Sequence, residues 1–106
     1  MQIINVAKDF TRFPSGRFKR NGETSGEAFR ERFLENPLKE GKQITVELDG
    51  TIGYGSSFLE EAFGGLVRVL KISPQDLKLK LHMVSNDPAL LEEVSGYIDD
   101  AGKSLQ

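Results

Sequence analysis

Two short segments alternate strictly between apolar and polar residues: Ile44-Thr45-Val46-Glu47-Leu48-Asp49 and Leu77-Lys78-Leu79-Lys80-Leu81-His82-Met83. A period of two sends successive side chains to opposite faces of a strand, so each segment reads as a strand with one buried face. Central strands covered by helices on both faces would show continuous apolar runs instead. The pattern calls for a sheet that is wet on one face and covered by helices on the other.

The remaining elements fit around that sheet. Residues 2 to 7 read as a strand, followed by a polar excursion from Asp9 to Thr24 punctuated by Gly and Pro. A helix is expected from about Ser25, with Thr24 and Glu27 as a capping box, Ala28, Phe29, Phe33 and Leu34 as its apolar face, and Pro37 as its stop. A second helix, from Ser56 to about Leu70, is apolar round most of its circumference. The last helix opens on Asp87 and Pro88, buries Leu90, Leu91, Val94 and Ile98, and reaches a plausible end at Gly102. At 106 residues there is room for one such domain, residues 1 to 106, and no linker or repeat divides it.

Composition narrows the chemistry. There is no Cys, which excludes disulfides and thiol catalysis, and a lone His leaves a structural zinc site without ligands. No metal or cofactor is expected. The opening residues lack the pattern of a signal peptide and no stretch reaches membrane-spanning length, so the expected location is the cytoplasm, without membrane contact. A net charge of −2 argues against general nucleic-acid affinity. The charge is uneven, however: Lys8, Arg12, Arg17, Lys19 and Arg20 make a basic arm on an acidic body. The arm interleaves its cations with Phe13 and Phe18, and a solvated loop with one Phe in the core is its plainest account.

The most informative stretch joins the strand at Leu48 to the helix opening with Ser56 and Ser57, through Gly53-Tyr54-Gly55. Gly53 and Gly55 let the backbone turn and be approached closely. Either serine can cap the first N–H groups of the helix, where the macrodipole also favours an anion. Beyond a plain cap, two functional readings compete. A phosphate-binding loop is poorly matched, since Phe58 stands where a dinucleotide fingerprint needs a small residue and no Lys-Ser/Thr pair forms a P-loop. The other reading is a serine whose phosphorylation switches a surface. Glu60 and Glu61 are ordinary acids of a helix's first turn, and His82 has no nucleophile beside it, so catalysis is not expected. Gly64 and Gly65 need a reason inside a helix: close packing on the sheet, or with Glu61 and Arg68 a low stripe for a partner's backbone.

The loop and helix start resemble the core motif of STAS domains, the sulphate-transporter and anti-sigma-factor-antagonist family, where Asp-Ser-Ser-Gly-Leu opens a helix. Gly55 stands at the Asp of that motif and Phe58 at its Gly. The resemblance implies that Ser57 lies on the serine phosphorylated by anti-sigma-factor partner kinases. Along most of the chain, Pro14, Gly16-Arg17, Gly22, Ser25-Gly26-Glu27, Phe29-Arg30, the run Gly53 to Glu61 and Phe63 resemble the bacterial and phage STAS-like family of unknown function. That likeness implies a STAS-like fold and a regulatory partnership with a histidine-kinase-like ATPase.

The expected architecture is therefore a two-layer α/β domain of the α+β type, with a mixed sheet of about four strands and helices on one face. Its expected role is non-enzymatic: reversible binding of a protein partner, switched at Ser57 or Ser56. The contact surface would comprise Arg17, Gly53, Tyr54, Gly55, Ser56, Ser57, Glu60, Glu61 and Arg68, with Arg17 able to reach the helix-start serines. Two alternatives belong to other classes: a small-anion or nucleotide sensor at Ser56-Ser57, and a nucleic-acid accessory protein using Arg17, Lys19 and Arg20.

Overall fold

The computed structural model describes residues 2–104. Three strands, β1 (Gln2–Asn5), β2 (Ile44–Glu47) and β3 (Leu81–Val84), lie side by side in chain order and all run parallel. Parallel neighbours need long crossovers, and each link supplies helices. Between β1 and β2 lies α1, residues 26–39; between β2 and β3 lie α2, residues 56–70, and α3 (Pro74–Lys80). After β3 comes α4 (Pro88–Lys103). Both α1 and α2 contain a wider, π-wound turn, at Arg30–Leu34 and Glu60–Gly64 respectively.

The register explains the one-sided sheet. Ile4, Val46 and Met83 stand level across the three strands, and the next row is Ile3, Thr45 and His82. Ile4, Ile44, Val46 and Leu81 are buried, whereas Ile3 is 63% exposed. The helices therefore pack on one face, as the alternation in β2 requires. The sheet itself departs from the expectation: among the described residues it has three strands rather than about four, and it is parallel rather than mixed.

The segment 77 to 83 is also corrected. It is half helix, because Ser73 accepts a hydrogen bond from Asp76 N–H at 3.1 Å and Pro74 sits at the first helical position, starting α3. Leu77 and Leu81, one turn apart, are buried, while Leu79 between them is 69% exposed. Similarly, β1 ends at Asn5, where the Asn5 side chain accepts from Lys8 N–H and turns the chain into a π-wound turn, Val6–Phe10. Pro37 does not stop α1. Leu34 breaks the helical register (φ −110°), so Pro37 falls in the first turn of a fresh segment, Glu35–Lys39, where a missing N–H costs little.

Six aromatic rings weld the helices together. Phe29 lies 5.3 Å from Phe10, 5.4 Å from Phe33, 5.9 Å from Phe58 and 6.2 Å from Phe63, and Tyr54 lies 5.9 Å from Phe58. Phe13, by contrast, is 62% exposed, so the aromatic that the arm region gives to the core is Phe10. On α4, Gly96 has open space where a Cβ would go. Gly96→Ala is expected to stabilise the fold by about 0.5–1 kcal/mol, measured by urea unfolding, since the added Cβ chiefly restricts the unfolded chain.

Candidate functional site

The arm is an ordered part of the domain. Ser15 N–H donates to the Thr24 carbonyl (3.1 Å), closing the excursion, and Gly26 N–H and Glu27 N–H donate to the carbonyls of Gly16 and Arg17 (3.0 Å each). Ser25 Oγ accepts from Ala28 N–H at 3.1 Å. The first N–H groups of α1, which no helix can satisfy internally, are thus met by the arm and by Ser25. Ser25, rather than Thr24, is the cap, and the Glu27 carboxylate takes Lys19 N–H (2.8 Å) instead of closing a capping box.

Capping the helix by way of its carbonyl fixes Arg17 over α2. Arg17 Nη1 donates to Glu60 Oε1 at 2.5 Å and lies 3.4 Å from Glu61 Oε1. Arg68, two turns along α2, donates to Glu60 Oε2 (2.6 Å) and Oε1 (3.1 Å) and lies 3.4 Å from Glu61 Oε1. Beneath them the buried Arg30 donates through Nη1 to both the carboxylate (2.5 Å) and the carbonyl (2.7 Å) of Glu61, and through Nε to Glu35 (2.8 Å). Three cations and three carboxylates thereby form one balanced cluster between arm, α1 and α2.

The glycines of α2 make room for it. A Cβ at Gly65 would collide with the Arg30 guanidinium, and one at Gly64 would crowd the Glu60 carboxylate and the Tyr97 carbonyl. Gly64 and Gly65 are buried, and the space they leave is filled from within the chain, by Arg30, Glu60 and α4 rather than by the sheet.

The hydrogen bonds from Arg68, helped by Arg17, outweigh burial and hold the Glu60 carboxyl below its ordinary pKa. A carboxyl lowered by folding adds stability above its unfolded pKa, about 4.3, and loses it as pH falls through the lowered value. Urea unfolding is therefore expected to show stability declining below about pH 5, with a shallower decline in Glu60→Gln. An acid limb identical in the two proteins would remove this pairing from the stability of the fold. For Arg30, burial works to lower the pKa, but hydrogen bonds to Glu35 and then Glu61 prevail and raise it.

At the helix start, Gly55 is the N-cap of α2 and no side chain caps it. The expected serine cap is thus absent: Ser56 and Ser57 are both exposed, as are Gly53 and Gly55. Ser56 lies beside Tyr97 of α4. Tyr54 turns inward and donates to the Leu48 carbonyl at 2.7 Å, pinning the loop to the end of β2, and burial pushes its hydroxyl pKa up to about 12. The Arg17 guanidinium meets the two glutamates rather than the serines.

Two features around the loop had no place in the sequence expectation. Ile52 N–H donates to the Arg12 carbonyl (2.9 Å), which sets the exposed Ile52 on a loop bonded to that of the exposed Phe13. An apolar residue between glycines in a polar loop was the available signal. On the other side, an open cleft of about 360 Å³ separates the loop from α4, with Asp49, Asp87 and Glu93 among its lining residues. Asp49 accepts from Ser85 Oγ (2.7 Å) and Asn86 N–H (2.8 Å), which hold its pKa down. Among the described residues no group of three or more His, Asp or Glu is placed to hold a metal ion, and no helix is long and apolar enough to cross a membrane.

The geometry is that of an α+β domain, a one-faced parallel sheet whose middle strand feeds a glycine loop and a Ser-Ser helix start. The chain belongs to the family described as the STAS-like domain of unknown function (DUF4325), whose model matches residues 25–90. That span contains α1, α2, the loop between β2 and α2, and β3, with Arg30, Glu60, Glu61 and Arg68; the likeness seen at Pro14, Gly16-Arg17 and Gly22 lies before it. Neither a curated protein nor a solved structure matches the chain.

Proposed function

We propose that this domain is a non-enzymatic regulatory module that binds a protein partner through the surface around Gly53–Ser57, and that phosphorylation of Ser57, or of Ser56, switches the binding. The observation that carries the reading is the helix start of α2, where two exposed serines are not used as caps. Exposed Ile52 and Phe13 add apolar surface beside it of the kind protein partners cover. The partner class is a histidine-kinase-like ATPase, as the family likeness implies. The serine oxygen would attack the γ-phosphorus of the partner's ATP, ADP would leave, and the hydroxyl proton would pass to a base of the partner. Such chemistry belongs in the cytoplasm, where ATP is.

The charge distribution favours this reading over the two others. A free anion at the loop would face the carboxylates of Asp49, Asp87 and Glu93 in the adjoining cleft. In the arm, Arg17 and Lys19 are engaged by Glu60, Glu61 and Glu31, which reduces the cationic charge left for phosphates of a nucleic acid.

Parallel affinity capture with wild-type and Ser57→Glu baits, read by mass spectrometry, tests the proposal. Wild type is expected to retain a histidine-kinase-like ATPase and Ser57→Glu to retain about tenfold less of it. Equal retention by both baits would remove the switch. A domain that binds no ATPase would remove the partner class.

A further inference from the structure

We infer that Arg17 is the intramolecular receptor for a phosphate on Ser57: its guanidinium leaves Glu60 for the phosphate while its backbone stays fixed as the cap of α1. The inference rests on the phosphoserine reading above and adds to it the residue that senses the modification. Positions three and four apart share a helix face. Ser57 therefore stands one turn before both Glu60 and Glu61, the two carboxylates that Arg17 Nη1 lies between. Gly26, at the arm-bearing end of α1, packs against the Phe58 carbonyl and the Ala62 amide, so the arm meets α2 on this side. Ser56 stands one turn before Glu60 but not Glu61, and its side chain is engaged with Tyr97 on α4. The geometry separates two adjacent serines that the sequence leaves equivalent.

The exchange leaves no carboxylate stranded. Without Arg17, Glu60 keeps two hydrogen bonds from Arg68, and Glu61 keeps the one from the buried Arg30. Arg30 cannot serve in its place, because it is buried and held by Glu35 and Glu61. Lys19 is held by Glu31 at 2.6 Å. A phosphoserine carries close to two negative charges and three acceptor oxygens, which suits the forked guanidinium better than a shared carboxylate does. The arm itself need not move: Gly16 and Arg17 remain bonded to α1 through their carbonyls. The modification is thus read by one side-chain rotation, and Glu60 becomes the carboxylate newly available at the surface.

The test is a proton titration of the phosphate. Protein carrying phosphoserine at position 57, installed during translation, is titrated by phosphorus NMR with Arg17 intact and as Arg17→Gln. The second phosphate pKa, about 6 in a free phosphoserine, is expected to lie about one unit lower with Arg17 present than in Arg17→Gln. Titrations that coincide would overturn the inference. Should Arg17→Gln disturb the arm, the nitrogen-15 resonance of the Arg17 side chain in the otherwise unaltered phosphoprotein decides. It is expected to titrate with the phosphate, and a resonance unchanged between pH 5 and 8 would overturn the inference equally. Partner capture is independent of both. If the phosphate couples to Arg17 while capture ignores it, the switch reading fails and the receptor stands; if capture responds while the phosphate ignores Arg17, the receptor fails alone.

Discussion

Glu61→Ala is expected to lower the unfolding free energy by about 3–5 kcal/mol. The Glu61 side chain is only 10% exposed and that of its partner Arg30 only 4%. Removing the carboxylate leaves the buried guanidinium with Glu35 as its carboxylate partner and the residue-61 carbonyl, and takes away a counter-charge of Arg17 and Arg68. The loss is large because the stranded charge keeps its desolvation cost, not because the pair was strongly stabilising when intact. A domain of this size is stable by about 5–15 kcal/mol, so the melting temperature should fall by about 15 °C or more. Urea and thermal unfolding followed by circular dichroism give both quantities. A loss under about 1 kcal/mol would mean that water reaches Arg30 in solution.

Phe58→Ala should cost a similar amount, about 3–5 kcal/mol, by a different mechanism. Phe58 is fully buried and packs against Phe10, Phe29 and Tyr54, the last of which pins the glycine loop to β2. The cavity left by the ring would open in the first turn of α2, beside Tyr54. Stability and loop order should therefore fall together, which exchange of the Gly53 and Gly55 amides would report. Phe58→Leu, which refills most of the volume, should recover a good part of both. If the alanine protein unfolds with unchanged loop exchange, the ring stabilises the core without positioning the loop. The aromatic cluster is the physical reason a large side chain fits at this helix start.

The sequence carries these two residues very unequally. Phe58 sits in an apolar helix and is legible from its spacing. Arg30 stands between Phe29 and the Phe33-Leu34 pair with nothing in its own pattern to mark it as buried. Its burial depends on Gly65, thirty-five positions later, leaving space for the guanidinium, a relation that no local window contains. The caps show the same contrast. Asp87-Pro88 was readable and starts α4, with Asp87 Oδ1 accepting from Ala89 N–H at 3.0 Å. Ser73-Pro74 is the same kind of signal, yet the alternation of Leu77, Leu79 and Leu81 masked it. At Ser56, local chemistry favours a serine cap, but the loop geometry set by Tyr54 hands that position to Gly55. Glu60, Glu61, Arg68 and Arg17 are brought together, as a self-satisfied cluster beside the exposed loop.

The parallel sheet has a kinetic consequence. Gln2 pairs with Ile44 and Ile44 with Leu81, so each strand meets a neighbour 42 or 37 positions away and, among the described residues, no hairpin starts the sheet. Loop closure on that scale is an entropic barrier that contacts made along the way must lower. The helices between the strands hold those contacts: Phe29 and Phe33 on α1, Phe58 and Phe63 on α2. The rate at which this chain folds should therefore be governed by the meeting of α1 and α2, and the sheet should form as a result of that meeting.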